Sequence, residues 1–160
     1  MLRALNVRNI VLIEHLDLEL SGGLSVLTGE TGAGKSILLD ALGLSIGGRA
    51  EAGLVRAKEK RASVTATFDV KKNHPARLLL SENDIVDEDE IILRRTLSSD
   101  GRSRAYINDQ SVSVGLMRQL GEQLIEVHGQ FDDRGLMDRR THRGALDEFG
   151  ELRGLTDETS

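Results

Sequence analysis

Hydrophobic and polar residues alternate in several segments of the chain, with the period of two that is typical of strands with one buried face. The strands predicted in this way lie at residues 5–8, 16–20 and 63–70. Two further strands are predicted at residues 91–97 and 103–107, because Asp100-Gly101 separates them and this dipeptide between apolar runs is a strong hairpin signal. The pattern therefore predicts an antiparallel portion.

Continuous apolar stretches predict further buried elements. Residues 24–28 and 124–127 are interpreted as buried strands, and residues 36–46 are apolar nearly all round, which is typical of a buried helix. Shorter helices are predicted from Pro75, from Ser113 and from Thr141, because proline suits a first helical turn and hydroxyl side chains cap helices.

The composition limits the classes of protein to which the chain can belong. The chain has 160 residues, of which 39% are hydrophobic, enough for one domain with a core. It has no cysteine, which excludes disulfides and thiolate metal sites and suits a reducing compartment. No apolar stretch approaches the about 20 residues that span a bilayer. We therefore expect a cytoplasmic protein with no membrane partner.

Charge gives little indication of a nucleic-acid partner. The net charge is −5 and aromatic residues make up 2% of the chain, so neither a general basic surface nor a base-stacking platform is predicted. Basic clusters occur at residues 94–95, 102–104 and 139–143, and short clusters of this kind are interpreted as solvated faces.

One motif carries chemistry. Residues 29–36 match the phosphate-binding loop pattern G-x-x-x-x-G-K-[ST] at every fixed position. Glycines let backbone N–H groups surround phosphate oxygens, the lysine reaches the β and γ phosphates, and the serine hydroxyl coordinates Mg²⁺. The loop reads phosphates and not the base, so the motif itself leaves ATP and GTP open. The predicted cofactor-binding residues are Gly29, Glu30, Thr31, Gly32, Ala33, Gly34, Lys35, Ser36 and Ile37.

A general base for hydrolysis is not found in the sequence. P-loop enzymes usually place an Asp for Mg²⁺ at the end of an apolar strand, with a Glu nearby that polarises the attacking water. Neither Asp132-Asp133 nor Asp147-Glu148 follows such a strand. The sequence therefore predicts nucleotide binding without the acidic residues needed for turnover.

The residues on either side of the phosphate-binding motif narrow the choice of protein family. Residues 5–10, 23–42, 48–50, 106–108 and 127–130 followed by Asp132 resemble the SMC-like ATPases, and within them the RecN family of bacterial DNA repair proteins. The resemblance covers essentially the whole chain. It implies an α/β fold, the N-terminal lobe of an ABC/SMC-type P-loop ATPase head with a mixed sheet and an antiparallel β portion. Residues 1–150 would form this lobe, and 151–160 a polar tail leading to a coiled-coil arm.

The resemblance also implies roles for individual residues. Gln130 corresponds to the glutamine that contacts Mg²⁺ and the attacking water, so Lys35 and Gln130 are the expected catalytic residues, and Ser36 and Gln130 the expected metal ligands. Arg49 is similar in position to an arginine directed at the γ-phosphate, and Asn9 to a residue near the adenine. An ordinary strand-end position for Gln130 and a solvated loop position for Arg49 remain open.

By the same resemblance, the chain is the ATP-binding N-terminal half of an ATPase head in DNA double-strand break repair and recombination. The implied partners are the C-terminal half of the same head, a second copy engaged through ATP, and DNA in the complete bacterial, nucleoid-associated protein. The C-terminal half would supply the Walker B glutamate and the signature motif, so this segment alone is expected to be inactive.

Two other functions remain open from the residues. One is a self-contained P-loop phosphotransferase similar to a nucleotide kinase, which the chain length suits and which phosphate transfer to a nucleoside monophosphate would reveal. The other is a nucleotide-gated dimerisation module that never hydrolyses ATP, which ATP-dependent dimerisation without turnover would reveal.

Overall fold

Six strands form a single sheet in the computed structural model, which describes residues 1–29 and 34–127. The strands are β1 (Leu2–Ile10), β2 (Ile13–Glu19), β3 (Arg61–Asp69), β4 (Glu90–Ser98), β5 (Ser103–Ile107) and β6 (Gln110–Val112). The helices are α1 (Lys35–Ser45), α2 (Pro75–Glu82) and α3 (Val114–Leu124), with a 3₁₀ turn at Ala52–Leu54. The strand order is β2-β1-β3-β4-β5-β6.

Alternating side chains give the sheet one apolar and one polar face. Val7 pairs with Val64, and Phe68 pairs with Ile91, and all four side chains are fully buried on the same face. Helix α1 packs against β1, β3 and β4, while α3 packs against β5 and α2. The core therefore lies between the apolar face and the three helices.

The periodic elements agree with the sequence. The three segments predicted from alternation and the two predicted from the hairpin signal all form strands. The β4–β5 hairpin turns at Gly101, whose φ of 86° lies in the left-handed region that favours glycine. Pro75 begins α2, and the Ser113 hydroxyl accepts a hydrogen bond from the Leu116 N–H at 3.1 Å. Every pair of described strands is antiparallel, which confirms the antiparallel portion, and no parallel pair occurs among them.

Two predicted strands are wrong. Residues 24–28 form no strand, and the side chains of Leu24 and Val26 are 94% and 72% exposed. A strand needs a neighbour to pair with its backbone and a layer to cover its side chains, and the described residues supply neither here. At 124–127, α3 continues through Leu124 and no strand follows it among the described residues. The helix predicted from Thr141 lies outside the described residues.

Helix α1 is buried on one side, whereas its composition predicted burial all round. Ala41, Leu44 and Ser45 are buried against the sheet, but Leu39 remains 46% exposed. The difference arises because the six described strands lie on one side of the helix. The apolar outer side of α1 has no described layer over it.

The sequence missed β6. This strand is three residues long and carries no hydrophobic alternation. It forms because Asn108 and Asp109 both take positive φ angles, 46° and 61°, which returns the chain beside β5 in a tight turn.

The C-terminal end of α1 is held by α3. The Arg118 guanidinium donates hydrogen bonds from Nε and Nη2 to the Gly47 carbonyl, at 3.2 and 3.0 Å. Gly121 lies directly against Ile46, so that a Cβ added to Gly121 would stand 2.7 Å from the Ile46 Cβ. Glycine at position 121 is therefore a condition of this close approach, which we call the α1–α3 contact.

We predict that Gly121→Ala destabilises the fold by about 1–3 kcal/mol, because the added methyl must displace backbone as well as side-chain atoms. Gly115→Ala, in the same helix, is the matched control. A Cβ at Gly115 meets the Ser113 Oγ at an ordinary 3.7 Å, so this change should be neutral or stabilise by up to about 1 kcal/mol. Urea unfolding of both variants measures the difference, and equal stabilities would contradict the close packing at Gly121.

Candidate nucleotide-binding site

The described ends of the phosphate-binding loop lie close together. The Lys35 Nζ donates a hydrogen bond to the Gly29 carbonyl, which joins the two ends of the motif. Residues 30–33 of the motif lie outside the described residues. The lysine ammonium therefore stands at the mouth of the loop, where the motif requires it to meet phosphate.

Helix α1 begins in a form suited to an anion. Gly34 is its N-cap, with φ 96° and ψ −2°, and its carbonyl accepts from the Leu38 N–H at 3.0 Å. The described residues provide no side-chain cap for this helix, and its first turn holds no acidic residue. The positive end of the helix dipole therefore favours a negatively charged ligand at this end of α1. Ser36 is exposed on this first turn, beside half-buried Ile37.

A small concavity lies beside the start of α1. It measures about 370 Å³, and we call it the nucleotide concavity. Gly34 and Leu38 line it from α1, and the turn and first residues of β2 line it from the sheet. Its remaining lining residues are Leu12, Ile13, Glu14, His15, Leu16 and Arg56. An apolar surface with a few polar groups, next to an anion-binding helix end, suits the base and ribose of a nucleotide.

The β1–β2 turn that shapes this concavity has a strained backbone. Val11 has a φ of 46°, which is rare for a β-branched residue. The conformation is held by residues 54–56: the Val11 N–H donates to the Leu54 carbonyl at 2.9 Å, and the Arg56 N–H donates to the Asn9 carbonyl at 2.8 Å. Strain maintained by surrounding contacts is common at ligand sites.

The structure places the residues expected from the resemblance in different regions. Asn9 turns away from the nucleotide concavity, and its Nδ2 donates to the Arg61 carbonyl at 3.2 Å and to the Glu59 Oε2 at 3.3 Å. Arg49 follows the C-terminal end of α1, opposite the phosphate loop, and faces Glu51 at 3.7 Å. Gln130 lies outside the described residues. All three assignments stay predictions.

Arg56 is a candidate that the sequence did not indicate. It lies in the charged connector after α1, and the bridge between Ile10 and Val55 brings it back to the nucleotide concavity. There its guanidinium faces the Glu14 carboxylate at 3.4 Å and donates to the Leu12 carbonyl at 3.4 Å. No sequence motif marks it, because its position depends on a long-range strand contact.

One buried cation lies away from this site. Arg95 is 3% exposed on the apolar face of β4, where its Nη2 donates to the Ser103 hydroxyl at 2.8 Å. Burial lowers the pKa of Arg95, and the positive charge of Arg118 lowers the same pKa further. Its Nε and Nη1 find no hydrogen-bond partner among the described residues.

The described residues contain no group of three or more His, Asp or Glu side chains placed to hold a metal ion. None of their helices combines the length and apolar character required to cross a bilayer.

Comparison with known proteins identifies the family. The model of the AAA domain family matches residues 4–142. The chain belongs to this family. It is 44% identical over 149 residues to the DNA repair protein RecN of Vibrio cholerae, a match that covers 93% of the chain and 27% of that protein. It is 41% identical over 152 residues to RecN of Haemophilus influenzae, with the same coverage.

These matches confirm the resemblance to the RecN family that the motif and its flanking residues indicated. The chain spans about a quarter of the length of the curated relatives that it matches. What those complete proteins do therefore extends to this chain as a proposal.

The fold is also shared with a solved structure. A chain from work on ATP-driven dimerisation and DNA-stimulated activation of SMC ATPases superposes with a TM-score of 0.67 at 19% identity. The match covers 92% of this chain and 98% of that one. The expected fold class, the N-terminal lobe of an SMC-type P-loop ATPase head, is confirmed.

We predict that Gly34→Ala weakens nucleotide binding and lowers the free energy of unfolding by about 1–3 kcal/mol, because an L side chain at a φ of 96° is strained. A Cβ at Gly34 meets no atom of the described residues within 4 Å, so the expected cost is conformational. A Cβ at Gly43, in the middle of α1, also meets no atom of the described residues, and Gly43→Ala should stabilise by about 0.5–1 kcal/mol. Calorimetric unfolding and ATP titration of both variants make the comparison, and a Gly34→Ala protein that binds ATP normally would contradict the proposed cap geometry.

Proposed function

We propose that this chain is the ATP-binding N-terminal half of an ATPase head that acts in DNA double-strand break repair and recombination. The observation that carries the proposal is the start of α1, where Gly34 is the N-cap and the Lys35 ammonium donates to the Gly29 carbonyl at the other end of the phosphate-binding motif. The two bacterial relatives named RecN, a DNA repair protein, support the cellular role.

The residues present suit Mg-ATP. The N–H groups of α1 and the Lys35 ammonium would hold the phosphates, with the ammonium exchanging the Gly29 carbonyl for a phosphate oxygen. The exposed Ser36 hydroxyl would coordinate Mg²⁺, and the metal would neutralise charge on the β and γ phosphates. The adenine and ribose would pack in the nucleotide concavity against Leu38 and Ile13.

Three further assignments belong to this proposal. Gln130 would complete the Mg²⁺ ligands and position the attacking water, and Arg49 would reach the γ-phosphate once the head is complete. Asn9 would stay at the edge of the adenine site through its backbone, since the Asn9 carbonyl accepts from Arg56, which lines the nucleotide concavity.

Exposed apolar residues support a partner segment. Leu24, Val26, Leu27 and Leu39 are 94%, 72%, 52% and 46% exposed and flank the phosphate-binding motif on both sides. Apolar surface of this kind marks an interaction site. We assign it to the C-terminal half of the same head, which would bring the Walker B glutamate and the signature motif.

The remaining parts of the proposal concern the complete protein. Two heads would engage through ATP, in the manner of the ATP-driven dimerisation described for the similar SMC ATPase structure, and DNA would be a partner of the assembly. Residues 1–150 would form the lobe, and 151–160 would lead to a coiled-coil arm. The assembly would act in the bacterial cytoplasm, on the nucleoid.

The two other functions are less well supported. A nucleotide kinase is not favoured, because the curated relatives are DNA repair proteins. A dimerisation module without turnover has no observation of its own in the described residues. Both functions predict assay outcomes that differ from those expected for one half of an ATPase head.

We predict that Lys35→Ala weakens ATP binding by about 1.5–3 kcal/mol, a roughly 10- to 150-fold rise in Kd, because it removes a charge-assisted contact to phosphate. Lys72→Ala, an exposed lysine in the turn after β3, is the matched control and should leave the Kd unchanged. Isothermal titration of both variants measures this. Equal affinities for the two variants would exclude the phosphate-loop assignment.

We also predict that this chain binds Mg-ATP without steady-state turnover, because the expected general base belongs to the absent half of the head. Phosphate release is measured with Lys35→Ala as the blank. Turnover that Lys35→Ala abolishes would mean that the chain is a self-contained enzyme, and phosphate transfer to a nucleoside monophosphate would make it a kinase.

A further inference from the structure

The polar face of the sheet carries an ordered set of cationic and hydroxyl side chains. Strand register places Arg8 opposite Ser63, Ser63 opposite Thr96, and Thr96 opposite Arg104. These four residues form a row across β1, β3, β4 and β5, with an arginine at each end. A second row runs parallel to it and consists of Asn6, Thr65, Arg94 and Tyr106.

These rows open into a concavity of about 840 Å³, which we call the basic face. Six of its lining residues are cationic: Arg8, Lys60, Arg61, Arg94, Arg102 and Arg104. Asp100 is the acidic residue among those that line it. Most of the others carry hydroxyl or amide groups. Arginine, lysine, serine, threonine, asparagine and tyrosine are the side chains that donate to phosphate oxygens in nucleic-acid complexes.

Internal ion pairs neutralise part of this charge. Arg102 pairs with Asp100, and hydrogen bonds from Arg102 lower the pKa of the Asp100 carboxyl, which therefore stays ionised. Arg94 pairs with Asp109 at 2.8 Å, and Arg8 faces Asp17 at 3.4 Å. Arg61 and Arg104 have no ion-pair partner among the residues that the structure describes.

The concentration of charge is local, because the whole chain carries a net charge of −5. Six cations around one concavity in an acidic protein point to a polyanionic partner, since association of this kind depends on the local field and not on the net charge. In sequence these residues belong to separate short clusters. The strand register alone brings them together.

We propose that the basic face binds the phosphate backbone of duplex DNA. The choice of DNA over other polyanions rests on the proposed function. The strand spacing of about 4.8 Å makes the four-strand row about 14 Å wide, enough to contact several phosphates.

Features of the basic face favour a duplex over a single strand or a free nucleotide. Single-strand sites stack bases on open aromatic rings, but the Arg94 guanidinium lies 4.3 Å from the Tyr106 ring centroid and covers it. The apolar patch that a nucleobase requires lies instead in the nucleotide concavity, around Leu38 and Ile13. The basic face is therefore expected to contact the phosphate backbone of the duplex without preference for a base sequence.

The test uses this chain and a fluorescein-labelled duplex about two helical turns long. Fluorescence anisotropy gives the DNA affinity between about 50 and 200 mM salt. The test variant is Arg61→Gln with Arg104→Gln, which breaks no ion pair among the described residues. The matched control is Lys71→Gln with Lys72→Gln, the same change of charge in the exposed turn after β3, away from the basic face. Thermal unfolding checks that both variants fold.

We expect the Arg61 and Arg104 double variant to lose at least about tenfold in DNA affinity at the lowest salt concentration. Each lost phosphate contact should reduce the slope of log K against log salt by about 0.9, so the double variant should lose about 1.8. The control should match the wild type, and ATP affinity, measured in the same samples, should be unchanged in both variants.

Three results would overturn the inference. The first is a wild-type chain that binds ATP but not DNA. The second is equal DNA affinity in the test and control variants, and the third is a loss of ATP affinity in the test variant. The last would assign the basic face to the nucleotide. A wild-type chain that binds DNA but not ATP would instead contradict the proposed ATP site and leave the basic face intact.

Discussion

The antiparallel register of β1, β3 and β4 is the constraint on which both functional surfaces depend. Side chains alternate along a strand, so the pairing that buries Val7 against Val64 under α1 also sends Arg8 and Ser63 to the opposite face. A slip of one residue would exchange the two faces. The apolar core that supports the phosphate loop and the row of cations are therefore two results of a single register.

The nucleotide site depends on this sheet because α1 cannot define its own position. An isolated helix of 11 residues is marginal in water, so the burial of Ala41 and Leu44 fixes where the helix begins. Gly34 and Lys35 then face the mouth of the loop, and the bridge between Ile10 and Val55 adds Arg56 beside them. Distant packing thus sets the geometry that meets phosphate.

Features that depend on local pattern were predictable, and features that depend on distant partners were not. Three strands follow from alternation, two follow from the Asp-Gly hairpin signal, and the phosphate loop follows from its motif. The strand prediction at residues 24–28 was wrong. The apolar composition of this stretch is typical of a buried strand, but the described residues include no strand or layer that would bury it. Arg56 and the basic face were missed for a related reason. Arg94 and Arg104 belong to short charge clusters in sequence, and the pairing of β4 with β5 gives them their common position.

The α1–α3 contact has a mechanical consequence. Helix α1 is a stiff rod about 16 Å long, with the phosphate loop at one end and the Arg118 and Gly121 contacts near the other. A rod that does not bend must rotate or translate as a whole. A displacement of the first turn of α1 would therefore also displace α3. The chain leaves the described residues at Val127, shortly after that helix ends.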